Sequence, residues 1–444
     1  MDVITEIIGQ SLNQVLFVIG FIFWIIVAFM VGKVLLTYAK SWWLDRLQDK
    51  FVGDIKWVLL ELRFPKGNMT FPKAMEQVFA SFYQIYSFGI KPEKKWLEGQ
   101  VEEWISAEMV SSKDGIRFFI RVNKNFRSMV EAAIFAQYPN SEIIEAEYDY
   151  VNDFPADLPN DEYDLLGADI ILGRDSAYPI RTYPYFFGER KYEEQELDPI
   201  SSLAEAMSAL KSDERIWVQV LISPDGGDLK KEADKLINKL TGKKDAPKSS
   251  GFSDATGQFT KNLINAPFTP PDWTGAVKVE EKAKNLNALE VEVVKAVGHK
   301  SAKIAFNTMI RAIYIDKKDA FTKSNFAAVT SAFQQFNTRD LNFLRPAALT
   351  YTRPPRFFFK KSELLRKKKA IYKHYIKRAF STYSLLEETT PIVNRKHQAA
   401  KPFLMNIEEL ATIYHPPIIT VSAPGLRSLE TKKGVPPANL PIEE

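Results

Sequence analysis

The sequence predicts an α+β protein with one N-terminal transmembrane helix, followed by two ferredoxin-like (βαββαβ) units and a helical, partly extended C-terminal region. Three observations predict this fold class. An uncharged run, residues 7–32, lies close to the N-terminus, segments with strand and helix periodicity then recur twice in the same order, and a lysine-rich segment follows Pro355. The 444 residues carry a net charge of +4 and no cysteine, which excludes disulfides, zinc ribbons and thiol nucleophiles.

The uncharged run is long enough to cross a membrane, because about 26 residues form a helix of roughly 39 Å and a hydrocarbon core is about 30 Å thick. Acidic residues precede the run and basic residues follow it, so the positive-inside rule places the N-terminus outside the inner (cytoplasmic) membrane and the bulk of the chain in the cytoplasm. Four residues are assigned to the membrane interface: Lys33, Lys40, Trp42 and Trp43. A cleaved signal peptide is the alternative, but the acidic start at Asp2 and Glu6 disfavours it.

Composition and periodicity together predict the domain boundaries. The predicted segments are an extracytoplasmic N-terminus (1–14), the transmembrane helix (15–36), a juxtamembrane helix (37–53), a first ferredoxin-like domain (54–152), a second one (165–352) with a mobile insertion (241–275), a basic helix (356–380), and a docking helix with an extended tail (381–444).

Each predicted unit consists of four strands and two helices. In the first unit, alternating or continuous apolar residues predict strands at 57–64, 101–110, 116–122 and 143–151. Helical spacing follows Pro72 and Phe126. In the second unit, the predicted strands are 168–172, 216–222, 303–315 and 342–350. Its first helix follows Asp198, the predicted N-cap, and its second covers 326–336. Two further helices, 228–240 and 277–297, flank the Gly-, Ser- and Pro-rich insertion.

The most distinctive local signal is the basic segment after Pro355. It predicts a helix with a candidate surface for DNA phosphates or anionic lipid: Lys360, Lys361, Arg366, Lys367, Lys368, Lys369, Lys373, Lys377 and Arg378. Three- and four-residue steps place Arg366, Lys369, Lys373 and Lys377 on one face. An acidic protein partner and an ordinary solvated helix face are the alternatives.

No catalytic constellation is present in the sequence. Gly242-Lys243 lacks the serine or threonine that a phosphate-binding loop requires, and no GxGxxG follows a strand. The four histidines do not have metal-site spacing, and adjacent acids such as Glu102 and Glu103 point in different directions. The sequence therefore predicts a protein that is not an enzyme and has no cofactor and no metal.

Several segments resemble a known class of proteins. Residues 407–417 (IEELATIYHPP) and 436–441 (PPANLP) resemble the linker that precedes the motor domain in conjugation and type IV secretion ATPases of bacterial candidate phyla. Residues 57–83, 115–138, 215–224 and 334–343 resemble the membrane-anchored, non-ATPase region of those proteins, a domain of unknown function. No nucleotide-binding loop follows within the 444 residues, so the resemblance implies anchoring and docking rather than motor activity.

The resemblance leads to a functional expectation. The chain is expected to be a non-enzymatic, single-pass membrane protein that anchors or docks a separate ATPase of the secretion or conjugation type. The candidate docking residues are Ile407, Leu410, Ile413, Tyr414 and Leu440, in a helix and tail expected to lack a core of their own. The alternative is a membrane-tethered protein that binds DNA through residues 360–378. Homo-oligomerisation remains open.

Overall fold

The structure is a computed structural model that describes residues 2–65, 70–112, 115–187, 198–211, 213–242, 286–354, 360–380 and 400–418. It contains both helices and sheet, and it begins with an apolar helix. The helices are α1 (Asp2–Asp54), α2 (Pro72–Phe82), α3 (Arg127–Gln137), α4 (Ser201–Ser208), α5 (Asp228–Thr241), α6 (Ala288–Ser301), α7 (Lys323–Ala332), α8 (Lys360–Ile376) and α9 (Ile407–Ile413). The strands are β1 (Trp57–Arg63), β2 (Ile105–Ser112), β3 (Gly115–Asn123), β4 (Glu142–Glu145), β5 (Tyr163–Leu172), β6 (Arg215–Pro224), β7 (Ala305–Lys317), β8 (Leu344–Pro346) and β9 (Phe403–Asn406).

All nine of these strands belong to one antiparallel sheet. Eight of them follow the order β4-β1-β3-β2-β6-β7-β5-β8, and β9 pairs with β7 beyond this path. The two predicted units meet where β2 pairs with β6, from Ile105 opposite Ile222 to Val110 opposite Trp217. This pairing satisfies the backbone groups of two strands that would otherwise be sheet edges. The two halves therefore share one continuous sheet.

The central strands are buried on both faces. In β6, every residue after Arg215 is buried, which is why its sequence is almost continuously apolar rather than alternating. The alternation in β3 predicted a half-buried strand, but Phe119 is also buried, and the guanidinium groups of Arg117 and Arg121 lie over the rings of Phe119 and Trp57. The second face of β3 is therefore covered too, because arginine can pack its stem and plane on aromatic rings.

Five helices cover the first face of the sheet and bury one large apolar cluster. α2 contributes Met75, Val78 and Phe79, and α3, α4 and α7 contribute equivalent apolar stripes. α9 packs against α2 on this face, with Leu410 and Tyr414 completely buried. Burying a large aliphatic or aromatic side chain contributes roughly 1.5–3 kcal/mol, so this cluster is the main stabilising element of the fold.

The second face carries α8 and the C-terminal end of α1. Ile371, Tyr372 and Tyr375 of α8 pack on strand residues that include Trp217 and Ile313. Beside them, Phe51 and Val52 of α1 pack against a smaller cluster that contains Trp104 and Leu221. The apolar surface of α8 explains its position, because its charged face is only one side of an amphipathic helix.

Several predicted elements differ in detail. α1 is a single unbroken helix, so the predicted transmembrane and juxtamembrane helices are continuous. β4 ends at Glu145, and a 3₁₀ helix, Tyr150–Asp153, follows where the strand was expected to continue. Asp198 does not cap α4, whose N-cap is Ile200. β9 was not predicted, because a four-residue strand next to a helix start has little periodicity. Residues 243–285, which include most of the predicted insertion, lie outside the described residues.

Candidate functional site

The predicted membrane-interface residues lie on the exposed surface of α1. Within the described residues, the segment Ile19–Asp54 is the one helix long and apolar enough to cross a membrane, and none of its most apolar window is buried against the fold. Lys33, Lys40, Trp42 and Trp43 are all exposed, with Arg46 stacked 5.0 Å from the Trp42 ring. Fully exposed apolar side chains over such a length favour a lipid environment.

α1 docks onto the remainder of the fold on the opposite side from Trp42 and Trp43. Ser41 and Leu44 are buried, and Gly99 lies against the backbone of Leu47. A Cβ atom at Gly99 would lie 2.3 Å from the carbonyl carbon of Leu47, and its φ of 69° is itself in the left-handed region. Only glycine fits this contact without displacing the backbone. The apolar helix is thus a direct extension of the packed core.

The nine predicted anion-binding residues separate into two groups. Five remain exposed: Lys360, Lys361, Lys369, Lys373 and Lys377. Because Lys369, Lys373 and Lys377 are four residues apart, they form a positive stripe on the solvent side of α8 and its C-terminal end. This part of the predicted stripe is present in the structure.

The other four basic residues bind groups of the same chain. Arg366 pairs with Glu363 at 2.6 Å, and Lys368 pairs with Asp164 at 2.6 Å. The ammonium group of Lys367 lies 3.2 Å from the carbonyl oxygen of Ala348, and burial lowers the pKa of Lys367. Arg378 is completely buried. The structure thus buries Lys368 and Arg378 and pairs the partly exposed Arg366 and Lys367 with groups of the same chain, so the nine residues do not form one continuous exposed surface.

A row of polar side chains crosses four adjacent strands beneath the end of α8. Glu108 is directly opposite Gln219, Gln219 is opposite Arg311, and Arg311 is opposite Asp169. We call these four buried residues the polar row. Arg311 donates to Asp169 at 2.9 Å and to Gln219 at 3.2 Å, and the Gln219 amide donates to Glu108 at 3.1 Å. The row connects the two halves of the sheet by side-chain hydrogen bonds as well as by backbone pairing.

Arg378 attaches the C-terminal end of α8 to the polar row. Its guanidinium donates to both oxygens of Glu108, at 2.7 and 3.0 Å, and to both oxygens of Asp149, at 2.7 and 2.9 Å. Burial alone would lower the pKa of Arg378, but the two carboxylates outweigh burial and raise it well above the ordinary value. The Tyr150 hydroxyl also donates to Glu108, at 2.8 Å. Both carboxylates are bound by the buried guanidinium, so the arrangement suits structural clamping rather than acid–base catalysis.

The predicted docking helix is buried in the first-face core. Ile407, Leu410, Ile413 and Tyr414 are all buried, and the Tyr414 hydroxyl donates to the carbonyl oxygen of Phe119 at 3.1 Å. The expectation that this helix lacks a core of its own is wrong. Its apolar residues face α2 and the sheet, so they are not accessible to a partner here. Leu440 and the 436–441 motif lie outside the described residues.

Two buried polar pairs fix α9 and the residues after it. Lys300 pairs with Glu409 at 2.9 Å with both side chains inaccessible, and burial lowers the pKa of Lys300 despite that partner. His415 lies 2.9 Å from Asp198. Burial would raise the pKa of Asp198, but His415 and backbone N–H groups hold it below its usual value. A capping box between Asn406 and Glu409 completes the helix start.

One polar pocket, of about 340 Å³, lies beside α6. Its wall includes Thr182, Lys295, His299 and Glu408. Glu408 accepts hydrogen bonds from Thr182 and from Lys303, both at 2.5 Å, so its carboxylate is already bound. Across the described ranges, no group of three or more His, Asp or Glu residues is arranged to hold a metal ion.

The polar row and the residues that bind Arg378 were not predicted from the sequence. Each member of the row is a polar residue with an apolar residue on either side of it in the strand, as in Asp169 of ADIIL or Gln219 of IWVQVLI. That pattern is a usable signal, because an isolated polar residue in a buried strand needs a partner. The sequence gives no register between strands, so it could not show that these residues lie opposite each other.

Comparison with known proteins agrees with one part of the resemblance. No curated protein matches the chain. A family model described as "Domain of unknown function (DUF8128)" matches residues 46–424, from the point where α1 meets the fold to just beyond the last described residue. This confirms the expected domain of unknown function. The chain belongs to the DUF8128 family.

Proposed function

We propose that this protein is a non-enzymatic, single-pass membrane protein that holds an α+β platform at the membrane surface, where it docks a separate ATPase of the conjugation or type IV secretion type. One observation carries the anchoring part of the proposal: α1 passes without interruption from an exposed apolar span into buried contacts at Ser41, Leu44 and Gly99. The docking part rests on the resemblance of residues 407–417 and 436–441 to the linker before the motor domain. An anchor connected in this way transmits its orientation to the whole sheet.

The proposed orientation places the N-terminus outside the inner membrane and the platform in the cytoplasm. The charge difference across the span supports this, since Lys33, Lys40, Arg46 and Lys50 follow it. A cysteine scan would test it, because the chain has no native cysteine. Labelling of an introduced cysteine near residue 56 by a membrane-impermeant thiol reagent in intact cells would contradict the orientation.

We also propose that the sheet is a tandem of two ferredoxin-like units. The strand order β4-β1-β3-β2 in the first half and β8-β5-β7-β6 in the second supports this, because both correspond to the order 4-1-3-2 of a βαββαβ unit. The helices α2 and α3, and α4 and α7, cover the same face in each half. Joined at β2 and β6, the two units present one broad surface to a partner.

The partner is tested by recovery from the protein's own cells. The full, detergent-solubilised chain is compared with a variant that ends at Ile418, which keeps α9 and the whole described core. A recovered protein must carry a nucleotide-binding loop, identified by mass spectrometry, to support the proposal. Loss of that ATPase with the shorter variant would assign docking to residues 419–444. Recovery with both would assign it to the folded platform, and recovery with neither would refute it.

The exposed stripe on α8 favours a second candidate function, DNA binding. Three phosphate contacts by Lys369, Lys373 and Lys377 predict that the logarithm of affinity falls with the logarithm of salt concentration with a slope of about −2.7. Replacing all three lysines with glutamine should abolish that dependence. The matched control replaces three exposed lysines of α5, Lys230, Lys235 and Lys239, with glutamine. Equal binding by both variants would eliminate this candidate.

A further inference from the structure

A loop between α2 and β2 lies at the base of the membrane helix. We call residues 87–99 the membrane-proximal loop. Its start is fixed where the Ser87 hydroxyl donates to Glu102 at 2.7 Å, and it ends in a π-helical turn, Lys94–Glu98, followed by Gly99. The turn packs on α1, and Gly99 lies against the backbone of Leu47. The C-terminal end of the loop is therefore held next to the membrane helix by direct contact.

The position of Leu47 sets the depth of this loop. Leu47 follows Trp43 by four residues, which is about 6 Å along a helix. Trp42 and Trp43 are exposed, as expected of side chains at the headgroup level. The turn Lys94–Glu98 thus lies within about one helical turn of the membrane interface, provided that α1 spans the membrane as proposed.

Two large apolar side chains of this loop point into solvent. Phe88 is 89% exposed and Leu97 is 76% exposed, and among the described residues outside α1 no large apolar side chain is more exposed. Phe88 also has a φ of 57°, followed by Gly89 at 87°. A bulky non-glycine residue seldom adopts the left-handed region, so the backbone holds this ring outward in an unfavourable conformation.

The charge of the loop is nearly balanced. Lys91 and Lys94 are exposed, and so are Glu93 and Glu98. Electrostatic attraction to anionic lipid is therefore small, and the apolar side chains are the main driving force for any contact. An aromatic and an aliphatic side chain with flanking lysines suit the boundary between headgroups and acyl chains.

We propose that the membrane-proximal loop is a second membrane contact, in which Phe88 and Leu97 insert into the headgroup layer of the membrane that α1 crosses. This rests on the proposed transmembrane role of α1. Two contacts with one leaflet, the helix and the loop, fix the tilt of the platform, whereas a single helix would leave it free to tilt about its base.

The test uses the absence of cysteine in the chain. Single cysteines replace Phe88 or Leu97 in the full chain, carry an environment-sensitive fluorophore, and are reconstituted in phosphatidylcholine–phosphatidylglycerol vesicles. Lipids with a nitroxide near the headgroup or at the acyl-chain end act as quenchers. Phe23→Cys, in the apolar part of α1, reports insertion of the anchor, and Phe135→Cys, an exposed residue of α3 on the first face, is the matched surface control.

The expected result is strong quenching at 88 and 97 by the headgroup-level nitroxide, quenching at 23 by the chain-end nitroxide, and none at 135. Quenching at 23 with no quenching at 88, at 97 or at either position would overturn the loop contact and leave the anchor in place. No quenching at 23 would overturn the anchor and the loop contact together. Unquenched labels at 88 and 97 that become shielded only when a partner protein binds would assign the loop to protein docking and also overturn the proposal.

Discussion

Removal of the Arg378 guanidinium is the most direct test of how the two halves of the sheet and α8 are held together. The substitution Arg378→Met keeps most of the side-chain volume and the same positive φ of 48°, so it changes charge and hydrogen bonding while backbone strain stays constant. It removes four hydrogen bonds to Glu108 and Asp149. Glu108 would keep Tyr150 and Gln219 as donors but lose its bidentate cation.

The expected cost follows from burial. Breaking a buried ion pair by removing one partner costs about 3–5 kcal/mol, because the other charge stays buried without compensation. Two features place the expected cost of Arg378→Met near the lower end of this range. The Asp149 side chain is 31% exposed and can be hydrated, and Arg121 remains close enough to act on Glu108. We therefore expect a loss of about 3 kcal/mol in the free energy of unfolding.

Thermal unfolding of the full chain in detergent, followed by circular dichroism, measures this loss. At about 2 °C per kcal/mol for a domain of this size, Arg378→Met should lower Tm by about 6 °C. Lys377→Met is the matched control, since Lys377 is the exposed neighbour, and should shift Tm by about 1 °C or less. The double variant with Glu108→Gln should recover part of the loss, with a coupling energy on the order of 1–3 kcal/mol.

Two results would refute this reasoning. A Tm for Arg378→Met equal to that of Lys377→Met would mean that the buried guanidinium is not needed to hold α8. Strict additivity of the Arg378 and Glu108 substitutions would mean that the two side chains do not interact energetically, whatever their distance.

Three further predictions test other parts of the structure. Gly99→Ala should detach the base of α1 and raise amide hydrogen exchange around Leu47, whereas Gly89→Ala, with positive φ but no neighbour within 4 Å, should not. Leu410→Ala should cost about 2–5 kcal/mol in denaturant unfolding if α9 is core, and almost nothing if it is a docking surface. The pKa of Asp198 is held below its usual value near 3.8, so its stabilisation is present above that pH and lost as pH falls through the lower folded-state value. Asp198→Asn should therefore reduce stability at neutral pH and flatten its acid dependence below about pH 4, which pH-resolved unfolding would measure.

The sequence predicted elements well where local periodicity was strong. The apolar run of α1, the continuous β6 and the helical spacing of α2 and α8 all correspond to observed elements. Prediction was weak where elements were short. The strand β9 has four residues and was not predicted, and β8 has three residues within a predicted strand of nine, 342–350, because so few residues show too little of either period.

The candidate site was predicted only in part. The spacing along α8 predicted a stripe of Arg366, Lys369, Lys373 and Lys377, of which the three lysines are exposed and Arg366 is partly exposed. It could not identify Lys368 and Arg378 as internal, because their partners Asp164 and Glu108 are 204 and 270 residues away in the chain. A lysine-rich helix has the same sequence signature whether its charges meet phosphate, lipid or its own protein.

The sequence by itself determined that the chain has an apolar span, a mixed helix and sheet composition and a basic helix, since these depend on the type and spacing of neighbouring residues. Only the tertiary structure decided that β2 and β6 join the halves into one sheet, that α9 belongs to the core, and that one buried polar residue from each of four strands contributes to a single row. These outcomes depend on strand register and long-range pairing, in which each residue's environment is set by residues far away in sequence.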